Sequence, residues 1–147
     1  MGRNAGFDEF VLVTARAVVV DLAPDEAVVV DVVGQEYLRD PERLLSRDGS
    51  RPPVLGSGIG TVVTMVTPVA LAVGASVYQH LLGKAGESLA NGTVKLVRKV
   101  FRRDEGAADE VRRVVVERAR ELGRSADEAN RIADTVIAEL TRDDDAA

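Results

Sequence analysis

Cysteine and tryptophan are both missing from the chain. Without thiols it can form no disulfide, thiolate zinc site, iron–sulfur cluster or cysteine nucleophile, which suits a reducing cytoplasm. Without tryptophan, and with two tyrosines and three phenylalanines in 147 residues, it lacks the aromatic belt common at membrane interfaces. Packing must therefore rest on valine, leucine, isoleucine and alanine. The single histidine, His80, cannot supply a His cluster or the HExxH spacing of a metal site. Ser57 and the neighbouring threonines have no base nearby in sequence, so no activated nucleophile is legible. The residues predict no catalytic group, no metal and no cofactor, and hence a non-enzymatic protein.

Gly56-Ser57-Gly58-Ile59-Gly60 resembles a phosphate-binding loop only superficially. Its third glycine comes one residue early for the dinucleotide fingerprint, and no Lys-Ser/Thr pair follows for a Walker-type loop. The glycines better suit flexibility or close approach of two helices.

The absence with most consequence is of charge. From Pro52 to Gly83, thirty-two residues carry no Asp, Glu, Lys or Arg, although 29% of the whole chain is charged. The net charge of −5 is segregated around that run. Residues 1–51 hold six basic and ten acidic side chains, residues 52–103 six basic and one acidic, and residues 104–147 seven basic and thirteen acidic. A cationic block thus follows the uncharged run, between two acidic flanks.

Four regions are expected: an N-terminal helical region (1–51), the uncharged segment (52–83), a basic amphipathic helix (84–103) and a C-terminal helical hairpin (104–147). The fold class is all-α. Phe7, Phe10, Val11, Thr14, Val18 and Leu22 recur at helical spacing. Ala23-Pro24-Asp25-Glu26 restarts a helix, with proline and two acids suited to a first turn. That second helix is expected to reach about Leu38, with Val28, Val29, Val32 and Val33 inward and Asp31 and Glu36 outward. Its rival is a β-hairpin, because ten residues between Val11 and Val33 are valine. The lack of strict alternation favours helix. Asp40-Pro41-Glu42 opens a short helix, and residues 46–53 read as a linker.

Beyond the uncharged run, Val94, Val97, Val100 and Phe101 form one stripe of a helix whose other face is cationic. Gly92 marks a break before it, and Asp104–Gly106 a second linker. Ala107–Leu122 presents Val111, Val114, Val115 and Leu122, with Gly123 as a C-terminal cap. Ser125 and Glu128 form a capping box for a last helix striped by Ala129, Ile132, Ala133, Val136, Ile137 and Leu140.

The uncharged run admits two readings. As a membrane segment, Thr61–Leu82 would measure about 33 Å as a helix, enough to cross a bilayer core of about 30 Å. Alternatively, a bend at Pro68 would make it a re-entrant hairpin. Gly56, Gly60, Thr61, Thr64, Pro68, Ala70 and Gly74 would then form the face for membrane contact or self-association. Lys84, Lys95, Arg98, Lys99, Arg102 and Arg103 would bind an anionic surface. On this reading the protein is cytoplasmic and membrane-associated, a homo-oligomer, anchor or membrane-perturbing effector. The alternative is a soluble helical adaptor with residues 54–82 as its buried core, docking a protein partner through residues 107–141. Nucleic acid is not an expected partner, because a handful of cations in an acidic chain make a weak footprint.

Overall fold

The computed structural model describes residues 5–42, 65–86 and 92–142. Within them lie six α-helices and no strand: α1 (Ala5–Leu22), α2 (Val30–Arg39), α3 (Val66–Ala85), α4 (Val94–Arg103), α5 (Ala107–Glu121) and α6 (Ala126–Leu140). A 3₁₀ turn, Pro24–Val29, joins α1 to α2. The chain is all-α, and helix prevails over hairpin in the valine-rich N-terminal third. The linker expected at 46–53 lies outside the described residues. So do residues 43–45 of the short helix expected from Asp40, in which Pro41 and Glu42 are helical.

The architecture follows from α3. Fourteen of its twenty residues are buried, and the ten from Val66 to Ala75 are buried without a break, on every side of the helix. That first half has to be surrounded, while from Ser76 onward Gln79, His80, Gly83 and Lys84 turn outward; α1, α2, α4 and α5 all pack against the helix. Each fully buried valine or leucine contributes about 1.5–3 kcal/mol relative to exposure. The buried residues of all six helices form one apolar cluster.

The closest partner of α3 is α1, which turns Phe10, Val11, Thr14, Ala15, Val18 and Val19 toward the core. The two helices meet at Gly74. A Cβ placed there would sit 3.4 Å from Val11 Cα and 3.5 Å from Val11 O and from Thr14 Cβ, so a larger side chain would push the backbones apart. Towards the other end of the pair, Tyr78 meets Phe7 edge-on at 5.0 Å between ring centroids and Phe10 at 5.8 Å. Three of the five aromatic side chains thus gather at one joint.

The second helix departs from the sequence-based expectation. Val30, Gly34 and Tyr37 face inward and Val33 packs against the core as expected, whereas Val28 is 84% and Val32 69% exposed. The cause is the 3₁₀ turn. At 3.0 rather than 3.6 residues per turn, six residues advance the register by roughly 120° more than an α-helix would. A phase extrapolated from Pro24 is therefore a third of a turn out by Val30. Asp31 and Glu36 do face solvent as expected.

The C-terminal elements match their signals. Thr93 caps α4, its Oγ1 accepting from Leu96 N at 3.0 Å, and Val97, Val100 and Phe101 are buried. Gly123 (φ 97°) ends α5 in the left-handed region that favours glycine. Its N–H donates to Arg120 O and that of Arg124 to Ala119 O, both at 3.0 Å, which is the Schellman pattern. Ser125 Oγ accepts from Glu128 N at 3.1 Å, and Ala129, Ile132, Ala133, Val136 and Leu140 of α6 are buried.

The Gly74 joint makes a sharp prediction. Gly74→Ala, whose methyl meets only ordinary contacts and which gains helix propensity, will leave the thermal midpoint unchanged or raised. Gly74→Leu overpacks the α1–α3 joint and will cost about 1–3 kcal/mol, read as a lowered midpoint in circular-dichroism melts.

Candidate functional site

The first turn of α3 has no side-chain cap of its own, because Met65 stands at the N-cap position. A carboxylate forty residues earlier supplies one. Glu26 accepts from Val66 N at 3.0 Å, Thr67 N at 2.8 Å and Thr67 Oγ1 at 2.6 Å. The next residue, Pro68, has no N–H to satisfy. The negative group also sits at the positive end of the helix dipole. Arg124, 13% exposed at its side chain, donates to Met65 O at 2.8 Å while its guanidinium faces Glu128 at 3.4 Å. Glu128 thus completes only half of the expected capping box: its backbone N–H binds Ser125, and its carboxylate turns toward Arg124.

The other end of α3 is also tied by carboxylates. Lys84 Nζ lies 2.6 Å from both oxygens of Glu110 and 3.1 Å from Asp104 Oδ2. His80 Nε2 lies 3.2 Å from Glu110 Oε1. Asp104 Oδ1 accepts from Gly106 N at 3.0 Å, closing the turn into α5. The Lys84 hydrogen bond, then the Gly106 N–H, hold the Asp104 carboxyl below its usual range. The Lys84 and His80 hydrogen bonds do the same for Glu110. The Lys84 ammonium is held above its ordinary value by Glu110 and Asp104.

Several of the cations expected to bind an anionic surface have partners within the chain. Arg98, 12% exposed, pairs at 2.7 Å with Glu139, which is 8% exposed. Arg102 donates to Arg142 O at 2.9 Å, and Lys84 is held as described. Lys95, Lys99 and Arg103 are exposed. The expected self-association residues divide similarly. Pro68, Ala70 and Gly74 are buried in this fold, with Gly74 against α1. Pro68 falls in the first turn of α3 rather than at a bend between two arms. Gly56, Gly60, Thr61 and Thr64 lie outside the described residues.

The charges of residues 107–141 are also largely engaged. Arg112 bonds Asp134 at 2.6 Å and Asn130 Oδ1 at 3.3 Å, Arg118 bonds Glu121 at 2.9 Å, and Arg131 and Thr135 reach Asp21 of α1 at 3.6 and 3.0 Å. Among the described residues no group of three His, Cys, Asp or Glu side chains is placed to hold a metal.

A different surface stands out, and sequence reasoning turned part of it inward. Among the described residues the exposed large apolar side chains are Val20 (53%), Val28 and Val32, all on the α1–α2 side. Val13, Arg16, Ala17 and Val20 line a groove of about 350 Å³ between α1 and the end of α6. Arg16 binds Asp31 of α2 at 2.6 Å. Val28, in the 3₁₀ turn, and Val32 of α2 face outward, and no local residue pattern marks that change of phase.

Comparison with family models, with curated proteins and with solved structures finds no match to this chain.

Two outcomes test the ties on α3. Glu26→Ala leaves two N–H groups of the first turn without their acceptor and will cost about 1–3 kcal/mol in urea unfolding. Neighbouring Asp25→Ala, at an exposed position, will stay within about 0.5 kcal/mol of the parent. The second outcome concerns pH. Because Asp104 and Glu110 titrate below their unfolded values, their contribution is complete above about pH 4.5 and is lost as pH falls through the lower folded values. Lys84, raised when folded, loses its contribution only as pH climbs past its unfolded value of about 10.5. Replacing Lys84 by Met will therefore flatten both limbs of the stability profile and leave its dependence across pH 6–8 unchanged.

Proposed function

We propose that the protein is a non-enzymatic, water-stable helical module that docks a protein partner on its outer face, with α3 as its core. The observation that carries this reading is the burial of the one described helix that is long and apolar enough to cross a membrane. Of its apolar window, 78% is already covered within the chain. Its two ends are tied by Glu26, Arg124, Glu110 and Asp104. Inserting α3 into lipid would require breaking these ties and opening the whole core around it. The absence of a recognisable nucleophile or acid–base pair in the sequence agrees with a binding role.

A second reading, membrane association at the cytoplasmic face with self-assembly, draws on one specific pairing of features. An apolar helix about 30 Å long is followed by the exposed cations Lys95, Lys99 and Arg103. Each would be worth about 1 kcal/mol at an anionic surface. On that reading the core is a storage form.

The two readings separate in one flotation assay with liposomes of mixed zwitterionic and anionic lipid, with and without a high-salt wash. The docking module stays in the soluble fraction under both conditions and melts cooperatively without detergent. Protein that floats and resists salt is held by apolar insertion and overturns the proposal. Flotation at low salt alone assigns a surface contact to α4 and leaves the α3 core intact.

A further inference from the structure

We propose that the outward face of α4 binds an acidic segment of a partner protein, with one apolar residue of that segment seated beside Arg103. This rests on the docking-module reading and names its surface and partner class. Lys95, Lys99, Arg102 and Arg103 stand at i, i+4, i+7 and i+8, so they share one side of α4. All four are exposed. The stripe they form is about 12 Å long at about 1.5 Å per residue. Residues 92–103 hold no Asp or Glu. Among the described residues, Lys95, Lys99 and Arg103 make no ion pair. Arg102 donates to a carbonyl rather than a carboxylate, that of Arg142 at 2.9 Å. Glu139, at the end of α6, is already shared by Arg98 and Arg142.

A recess of about 320 Å³ opens at the Arg103 end of the stripe, between the ends of α3 and α4. Leu81, Ala85 and Val100 give it an apolar lining, and Lys84, Arg103, Asp104 and Glu105 its charges. Lys84 and Asp104 answer each other at 3.1 Å. The stripe and the recess share Arg103, and together they select the occupant. A cationic stripe alone would suit any polyanion, but an apolar recess at its end suits a peptide side chain. Exposed acids, Glu105 and Asp109, stand just past that end. A headgroup layer or a nucleic-acid duplex is broader than the stripe. It would bring its own negative charge within one Debye length, about 8 Å, of these carboxylates. A narrow segment running from Arg103 toward Lys95 avoids them. Such a segment sets carboxylates along α4 and an aliphatic residue in the recess. The whole chain is net −5, so general attraction does not draw an acidic peptide to it. Only local complementarity does.

The test uses the full chain, isotope-labelled, and a synthetic peptide of about 14 residues, four helical turns. It carries glutamate at i, i+4 and i+8, leucine one turn beyond, and alanine and glutamine elsewhere. The controls are a scrambled isomer and a version with glutamine in place of leucine. The expected result is binding about tenfold tighter than the scramble and about fivefold tighter than the leucine-free version. NMR shift changes will be confined to residues 81–85 and 95–105. Lys95→Gln with Lys99→Gln, at exposed positions, will weaken binding about tenfold or more and leave the melting curve unchanged. Equal affinity for peptide and scramble, or shifts centred away from α4 and the recess, would overturn the inference. The chain's own Asp143, Asp144 and Asp145 follow Arg142 in sequence. Binding that appears only in the Asp143→Asn, Asp144→Asn, Asp145→Asn variant would overturn the inference in their favour. Low-salt flotation that the lysine variant abolishes, with no peptide binding, would overturn it in favour of lipid headgroups. Failure here with a soluble, cooperatively melting protein in the flotation assay would defeat this surface alone, whereas salt-resistant flotation defeats the reading beneath it.

Discussion

Covering α3 is the constraint on which the rest of the structure depends. From Val66 to Ala75 the buried residues run right around the helix and leave no side for water, so its neighbours must each give up an apolar stripe to it. The resulting fold is dense around one axis: α1 approaches closely enough that nothing larger than a methyl fits at Gly74 without moving a backbone, and α2, α4 and α5 pack on other sides. Burial also removes the first turn from water, and the orphan N–H groups there need partners. Glu26 and Arg124, brought from distant parts of the sequence, answer that need at the first turn. The apolar core and the polar ties are therefore one solution to one problem.

The segregated charge of the sequence resolves in the same way. A basic block between acidic flanks looks like a surface reserved for an external anion. In the fold, several of its members answer the flanks: Lys84 meets Glu110 and Asp104, and Arg98 meets Glu139. Exposed pairs of this kind contribute little individually, about 0–1 kcal/mol. Their value lies in position, since each links elements that are far apart in sequence. Arg98–Glu139 differs because both side chains are nearly buried, so breaking it would strand a charge in the interior.

What was legible in the sequence was whatever depends on short range. Helical periodicity located α1 and α4–α6, and Gly123 and Ser125 announced their turns because capping is a matter of three or four residues. The phase of α2 was not legible from extrapolated periodicity, since a few residues of 3₁₀ geometry rotate everything downstream while leaving composition unchanged. The roles of Glu26, Arg124 and Glu139 were hidden for another reason. Each acts across roughly forty residues or more, and a lone Glu or Arg in a charged region carries no mark of its distant partner. Gly74 was singled out as a close-contact residue; the fold places it against α1 of the same chain.

The order of the helices along the chain has a bearing on how the protein is made. Translation at about 5–20 residues per second delivers α1, the 3₁₀ turn and α2 before α3 emerges. The principal cover of the apolar helix, and the carboxylate that caps it, are thus already outside the ribosome when α3 appears. Only the α4 and α5 sides stay open, for a further few seconds. An arrangement with α3 first would leave its fourteen buried residues without cover, searching for partners among whatever else the cell contains. Placing the acceptor ahead of the sticky element makes the gene order itself a safeguard against aggregation.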